Sequence, residues 1–245
     1  MQNDISWHKF DNLHEQSQTL AQRVAEDINR CLDLKQQATL CVPGGNTPVL
    51  FLNALSHTEL DWSRVTVILN DERWVPLSDA KSNLAMLQSQ LQQHKAKAVK
   101  LIEFCPCLNT PQENSNRERE QFLAAFNADY FNEDNANNRE SLSIDICVVG
   151  MGEDGHIASL FPNMPGLAAA LNSSLSPALI SADPPNKEAR VSLNLSALLN
   201  AQHHYLLITG NAKQQIIQEE QATQIEQYPI GYLISKTSLA IYYSD

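Results

Sequence analysis

The chain has 245 residues, of which 43% are hydrophobic, and a formal net charge of −11. This length and apolar content suffice for a substantial core, and we expect a single domain over residues 1–245. The negative charge disfavours a nucleic-acid partner, because it would repel the phosphate backbone and no basic run offsets it.

Several other classes of protein are disfavoured by the same inspection. No stretch reaches the roughly 18 consecutive apolar residues of a membrane helix, and residues 1–10 lack the pattern of a secretory signal. We therefore expect a cytoplasmic protein without a membrane partner. The five cysteines are irregularly spaced and three have apolar neighbours, which predicts buried free thiols. Cys105 and Cys107 form a lone Cys-x-Cys pair, so we expect no metal site and no cofactor.

Strands and helices alternate along the chain. Apolar residues recur at helical spacing over residues 13–34, which predicts an amphipathic helix. Short apolar runs predict strands buried on both faces of a parallel sheet, namely Ala38–Val42, Val65–Leu69, Val99–Phe104, Ile144–Val149, Tyr205–Thr209 and Leu239–Tyr243. Helix-compatible segments separate most of them, namely Val49–Leu55, Asn83–Gln93, Arg117–Asn127 and Ala212–Glu220.

This alternation predicts an α/β fold with an open, mostly parallel, Rossmann-like sheet flanked by helices. In such folds ligands bind at the carboxyl ends of the strands. Val191–Leu195 alternates apolar and polar residues, so we expect a strand at a sheet edge there. The polar segments Asn109–Asn116 and Phe131–Ser141 are predicted surface excursions.

The first segment with chemical potential is the glycine-rich turn Val42-Pro43-Gly44-Gly45-Asn46-Thr47-Pro48, between a predicted strand and a predicted helix. We expect Thr47 to cap the helix and Pro48 to occupy its first position. Two glycines let the backbone approach a ligand closely, and the free N–H groups of a helix start favour a phosphate. A tight turn that needs glycine only for its geometry is the alternative.

The second segment, Asn70-Asp71-Glu72-Arg73-Trp74-Val75-Pro76, also follows a predicted strand. Arg73 has the paired N–H donors that hold a phosphate. A surface cluster of ion pairs is the alternative interpretation of this charged mixture.

The third segment is Gly150-Met151-Gly152-Glu153-Asp154-Gly155-His156-Ile157-Ala158-Ser159-Leu160-Phe161-Pro162. Its glycines permit an unusual backbone path that would present His156 to a cleft, and histidine is the side chain best matched to proton transfer near neutral pH. A loop histidine that is only exposed or hydrogen-bonded is the alternative.

The fourth set consists of two cations. Arg190 opens a predicted strand, and Lys213 falls in the first turn of a predicted helix. A cation at a helix start opposes the helix dipole, which makes sense if an anion binds there. A solvated lysine is the alternative.

These segments, in this order, resemble the 6-phosphogluconolactonase family, whose fold is shared with glucosamine-6-phosphate deaminases. The resemblance runs from about residue 38 to the end. Asp71-Glu72-Arg73 with Val75-Pro76 and Ser82-Asn83, and then Gly150-Met151-Gly152 through Phe161-Pro162, are similar to lactonases rather than deaminases. Pro43 and Asn46 depart from the family pattern, because serine is frequent at both positions.

The resemblance implies hydrolysis of a small phosphorylated sugar lactone in the oxidative pentose phosphate pathway, by a monomer or small homo-oligomer. It implies that His156 is the general base and that the phosphate is held by Gly44, Gly45, Asn46, Thr47, Arg73, Lys213 and, less directly, Arg190. For the catalytic candidates Asp71 and Asp154, binding of sugar hydroxyls, orientation of His156 and a structural role remain open.

Two other functions compete with this interpretation. An amino-sugar phosphate deaminase and isomerase would use Asp71 as a carbon base and release ammonia. A catalytically silent sugar-phosphate sensor would keep the anion-binding groups and dispense with His156.

Overall fold

The computed structural model describes residues 4–104, 116–132, 142–223 and 226–245. In chain order the strands are β1 (Ile5–Phe10), β2 (Ala38–Val42), β3 (Val65–Leu69), β4 (Asp71–Arg73), β5 (Lys100–Ile102), β6 (Ile146–Gly150), β7 (Leu179–Ala182), β8 (Arg190–Leu193), β9 (His203–Thr209) and β10 (Leu239–Ser244). The helices are α1 (Leu13–Lys35), α2 (Val49–Ser56), α3 (Asn83–Gln90), α4 (Asn116–Tyr130), α5 (Leu167–Ala170), α6 (Leu195–Leu199), α7 (Asn211–Thr223) and α8 (Pro229–Ile234).

The main sheet has seven strands in the order β1-β10-β9-β6-β2-β3-β5. Every adjacent pair in it is parallel. The predicted α/β fold with an open, mostly parallel sheet flanked by helices is therefore confirmed. Its inner strands consist almost entirely of buried apolar residues, as expected where helices cover both faces of a parallel sheet.

Helix α1 confirms the predicted amphipathic helix to within one residue. The Asn12 side chain caps its first turn by accepting the N–H of Glu15 at 2.9 Å, and Gln36 ends it in the left-handed conformation with φ 65°. Its apolar stripe, which includes Leu20, Val24 and Ile28, is fully buried. Burial of each such side chain stabilises the fold by about 1.5–3 kcal/mol.

The prediction that Val191–Leu195 is an edge strand is wrong. The strand is β8, and it lies in the middle of a second, antiparallel sheet of order β4-β8-β7. Ser192, the polar residue that suggested an exposed face, is fully buried, and its hydroxyl accepts the N–H of Ser159 at 3.1 Å. The strand ends at Leu193 because Asn194 caps α6, accepting the N–H of Ala197 at 2.9 Å.

Other predicted elements differ at their ends or were not predicted. The Val99–Phe104 strand is shorter, as β5, and the Ile144–Val149 strand begins later, as β6. Strands β1, β4 and β7 and helices α5, α6 and α8 were not predicted. The predicted surface excursions Asn109–Asn116 and Phe131–Ser141 lie almost wholly outside the described residues.

The buried free thiols predicted from the cysteine pattern are confirmed for Cys31, Cys41 and Cys147. Cys105 and Cys107 lie outside the described residues. In the part of the chain that the structure describes, no helix has both the length and the apolar character needed to cross a membrane.

Candidate active site

A cleft of about 180 Å³ opens where β2, β3, β6 and β9 end. This is the edge of the sheet at which α/β folds bind ligands, because the connections that follow the strands meet there. Of the ten site residues predicted from sequence, nine line the cleft: Gly44, Gly45, Asn46, Thr47, Asp71, Arg73, His156, Arg190 and Lys213. The tenth, Asp154, does not line it but contacts His156 from behind.

The glycine-rich turn after β2 presents backbone donors to this cleft. Within the described residues, the N–H groups of Gly44, Gly45, Asn46 and Thr47 have no hydrogen-bond acceptor. Gly44 is required by close packing, since a Cβ there would lie 2.1 Å from the Asn83 side chain. Gly45 adopts φ +87°, a conformation that favours glycine.

The prediction that Thr47 caps the following helix is wrong. Helix α2 begins at Val49, its N-cap is Pro48, and no side chain accepts a hydrogen bond from its first turn. Val49 N–H instead donates to the Asn46 carbonyl at 3.3 Å, so a turn precedes the helix. Among the first N–H groups of the helix, those of Leu50 and Phe51 have no acceptor within the described residues.

Two arginines face each other across the small sheet. Arg73 in β4 and Arg190 in β8 are register partners. Like charges directly opposite each other destabilise a strand pair. The Nε atoms of both side chains are buried and have no partner within the described residues. Their Nη atoms have partners, because Arg73 Nη1 donates to the Lys81 carbonyl at 2.6 Å and Arg190 contacts Asp71 and Glu188. Two neighbouring guanidinium groups that line one cleft nevertheless form a site suited to an anion.

Asp71 lies beneath Arg190 rather than free in the cleft. Its Oδ2 accepts the Ser159 hydroxyl and lies 3.6 Å from Arg190 Nη1. Ser159 Oγ is also 3.4 Å from Arg190 Nη1, so the serine bridges the two charged groups. Burial lowers the pKa of Arg190, the nearby Arg73 charge lowers it further, and the Asp71 charge opposes both effects. Asp71 therefore holds the guanidinium in place.

His156 also lines the cleft and pairs with Asp154. The Asp154 Oδ1 atom contacts His156 Nδ1 and accepts the His156 backbone N–H at 3.3 Å. Gly152 makes this pair possible, because a Cβ there would lie 2.1 Å from His156 Cε1 and 2.7 Å from Asp154 Oδ1. The imidazole also stacks on Phe161 with ring centroids 3.9 Å apart.

The protonation state of His156 suits a base. Burial lowers the pKa of His156 below its ordinary value, although Asp154 acts in the opposite direction. Burial alone would raise the pKa of Asp154, but the hydrogen bond and charge of His156 lower it overall, so Asp154 is ionised. An ionised carboxylate only accepts, so the neutral imidazole carries its proton on Nδ1 and keeps a lone pair on Nε2.

Lys213 is the third residue of α7 and lines the same cleft as the two arginines. No carboxylate among the described residues lies within ion-pair distance of its Nζ. Burial lowers the pKa of Lys213, and the Glu153 charge partly offsets this effect. The cleft thus concentrates three cations in a protein whose net charge is −11.

Besides Ser159, the polar residues Asn83 and Glu72 support the site and were not among the sequence candidates. Asn83 lines the cleft and donates to the Asp71 carbonyl at 3.0 Å. The fully buried Glu72 accepts the N–H groups of Asn83 and Leu84 at 2.8 and 2.7 Å, so it caps α3 from outside the helix. Burial raises the pKa of Glu72, and these backbone hydrogen bonds counteract the rise. The available signal was Ser82 before a helix-compatible run, which marks an N-terminus.

Comparison with known proteins agrees with this geometry. The family model for glucosamine-6-phosphate isomerases and 6-phosphogluconolactonase matches residues 11–241. A protein of Neisseria meningitidis serogroup A named 6-phosphogluconolactonase is 34% identical over 230 residues, which cover 94% of each chain.

Solved structures show the same fold. A 6-phosphogluconolactonase from Shewanella baltica aligns with a TM-score of 0.84 at 26% identity and covers all of both chains. A monomeric glucosamine-6-phosphate deaminase aligns with a TM-score of 0.69 at 17% identity, over 98% of this chain and 97% of that one. The second likeness shows that the deaminase shares the fold.

Proposed function

Because this chain belongs to the family of glucosamine-6-phosphate isomerases and 6-phosphogluconolactonases, we propose that it hydrolyses 6-phospho-D-glucono-1,5-lactone to 6-phospho-D-gluconate, a step of the oxidative pentose phosphate pathway. The observation that carries this proposal is one cleft that holds both a neutral, oriented histidine and three cations. The names of the relatives support it.

His156 is the proposed general base. Its Nε2 atom takes a proton from water as the water oxygen attacks the lactone carbonyl carbon. A positioned base contributes about a hundredfold to ten-thousandfold to the rate. When the tetrahedral intermediate collapses, the protonated imidazole returns the proton to the ring oxygen that leaves. One residue thus serves both half-reactions.

Asp154 is the proposed orienting residue for His156, and not a group that binds substrate. It lies outside the cleft lining and contacts Nδ1. This contact fixes the tautomer, and the carboxylate charge stabilises the imidazolium that forms after proton transfer.

The oxyanion that develops on the carbonyl oxygen needs hydrogen-bond donors. Gly152 N–H is not available, because it donates to the His156 carbonyl at 2.9 Å. The N–H groups of Gly44 and Gly45, which have no acceptor among the described residues, are the proposed donors. A donor of this kind is worth about 3 kcal/mol of transition-state stabilisation.

The phosphate is proposed to bind between Arg73 and Arg190, with Lys213 and the turn at Asn46 and Thr47 completing the site. An anion there would pair with both guanidinium groups and relieve the repulsion between the paired arginines. Pro43 has no N–H to contribute, which restricts the turn's donors to the residues after it.

The position of Asp71 disfavours the deaminase alternative. A carbon base needs a free carboxylate oxygen in the cleft, whereas Asp71, although it lines the cleft, is 6% exposed and its Oδ2 is engaged by Ser159 and Arg190. We therefore propose that Asp71 positions Arg190 and does not abstract a proton from carbon.

The first test is hydrolysis of freshly generated 6-phosphogluconolactone by the wild type and by the His156→Ala variant. Each rate is compared with the enzyme-free background, because the lactone also opens spontaneously. We expect acceleration by the wild type and a loss of about a hundredfold or more in a folded variant.

Other outcomes would identify the competing functions. No acceleration above background would reject the lactonase proposal, and ammonia release from glucosamine 6-phosphate would then establish the deaminase. Sugar-phosphate binding without turnover of either compound would establish the sensor. Near-normal lactone hydrolysis by folded His156→Ala would remove His156 from the mechanism.

A further inference from the structure

We propose that Phe161 is a positioning residue whose ring fixes the plane of the His156 imidazole. The same ring also contacts Arg190, one of the three cations of the cleft. This inference rests on the proposed lactonase function, in which His156 is the base. The sequence motif indicates no role for Phe161, which is an apolar residue five positions after His156.

The contacts of Phe161 are unusual for a core residue. The ring is 3% exposed and stacks on His156 with an interplanar angle of 28°. Two cations lie near the same ring: Arg190 Cζ and Lys187 Nζ are each 5.1 Å from its centroid. Cations within about 6 Å of a ring centroid are attracted to the π-system. Phe161 therefore contacts the base and an anion-binding arginine at once.

The backbone holds this ring in a defined place. Leu160 N–H donates to the Ile157 carbonyl at 2.9 Å, and Met164 N–H donates to the Phe161 carbonyl at 3.2 Å, so two consecutive turns enclose the residue. Pro162 follows directly and restricts the conformation of Phe161 further. The ring is thus a fixed surface against which a mobile side chain can rest.

His156 depends on such a surface because its other restraints leave rotation possible. Asp154 contacts the imidazole only at Nδ1. Gly152 leaves room for the ring but has no side chain that could restrain it. The Phe161 ring covers one face of the imidazole and limits its rotation. Nε2 then stays directed to one place, and an error of about 1 Å in the position of a catalytic group costs on the order of a hundredfold in rate.

Arg190 has restraints that do not depend on Phe161. Asp71 and Ser159 both contact its guanidinium group, at 3.6 and 3.4 Å from Nη1. Loss of the ring should therefore disturb His156 more than Arg190, which separates an effect on turnover from an effect on substrate binding.

The test compares Phe161→Leu with a matched control, Phe104→Leu. Phe104 is also fully buried, but its ring packs edge-on against Phe126, whereas the Phe161 ring stacks on His156. We expect the two variants to lose similar amounts of thermal stability. We expect kcat for lactone hydrolysis to fall about tenfold or more in Phe161→Leu, with a much smaller change in KM, and to stay unchanged in Phe104→Leu.

A second readout does not require activity. The ring nitrogens of His156 are followed by NMR as pH is varied. The charged groups that act on the imidazole are Asp154, Asp71 and Arg190, and burial is the largest influence. Removing the Phe161 ring admits water, so the pKa of His156 should rise towards its ordinary value in Phe161→Leu and not in Phe104→Leu.

The outcomes separate the two proposals. A changed imidazole titration with no lactonase activity in the wild type would retain the positioning role and reject the proposed function. An unchanged titration in Phe161→Leu would overturn the positioning role, whether or not kcat falls. If Phe161→Leu does not fold, Phe161→Met replaces it, because methionine fills the same space without an aromatic face.

Discussion

Gly152→Ala is the substitution expected to stop catalysis while leaving most of the fold intact. The added Cβ would lie 2.1 Å from His156 Cε1 and 2.2 Å from Nδ1. Carbon atoms in ordinary contact are about 3.5–4.0 Å apart, so the imidazole has to move by about 1.4 Å or more. The His156 side chain is 24% exposed, and it can therefore move outward at a small cost in stability.

The expected loss of activity follows from that displacement. A misplacement of about 1 Å costs on the order of a hundredfold in rate, or roughly 2.7 kcal/mol of transition-state stabilisation. The imidazole also leaves Asp154, which adds loss of the correct tautomer. We expect kcat of Gly152→Ala to approach that of His156→Ala, while the unfolding free energy changes by about 1 kcal/mol.

The assay is lactone hydrolysis above the spontaneous background, with Gly166→Ala as the control. Gly166 has φ +77° and open space around its Cα, so alanine there introduces backbone strain of about 1–2 kcal/mol without touching His156. We expect Gly166→Ala to lower the melting temperature and keep wild-type kcat. Wild-type kcat in Gly152→Ala would refute the placement of His156 and the mechanism built on it.

Three further predictions concern the charges of the site. Because burial lowers the pKa of His156, the acid limb of kcat/KM should have its midpoint below 6.5, the ordinary histidine value, and a midpoint above it would contradict a buried base. The Asp154 carboxylate raises the pKa of His156, so Asp154→Asn should lower this pKa and move the acid limb of kcat/KM to lower pH. The same variant should lower kcat at least about tenfold, and an acid limb that does not move would show that Asp154 does not act on His156. Inorganic phosphate should raise the melting temperature of the wild type and much less that of Arg73→Ala, whose KM should also rise at least about tenfold; equal protection would place the anion elsewhere.

Elements that are encoded by their own stretch of sequence were predictable. Ala38–Val42 and Val65–Leu69 were predicted with the bounds of β2 and β3, because strands buried on both faces are continuous apolar runs. Strand β1 was missed because half of its residues are polar or charged, and only its pairing with the distant β10 makes it a strand. Ser192 misled the β8 prediction because its partner, Ser159, comes from another loop.

In the site, too, local motifs were predictable from sequence and contacts between distant segments were not. Glycine, histidine and arginine in their motifs indicated which residues gather at the sheet edge, since the ends of parallel strands converge there. The pairing of Arg73 with Arg190 depends on the register of an antiparallel sheet, and the engagement of Asp71 depends on Ser159. Neither is readable from spacing, because each joins residues more than 80 positions apart. The roles of the site residues remain proposals.

The pairing of β1 with β10 has a consequence for synthesis of the protein. Ile5 lies opposite Leu239, so β1 cannot pair with β10 until the ribosome has synthesised β10, more than 200 residues later. Until then β9 has an unpaired edge, and unpaired strand edges invite association with other chains. Docking of β1 should therefore follow synthesis of β10, and a nascent chain arrested before Leu239 should keep β1 open to proteases.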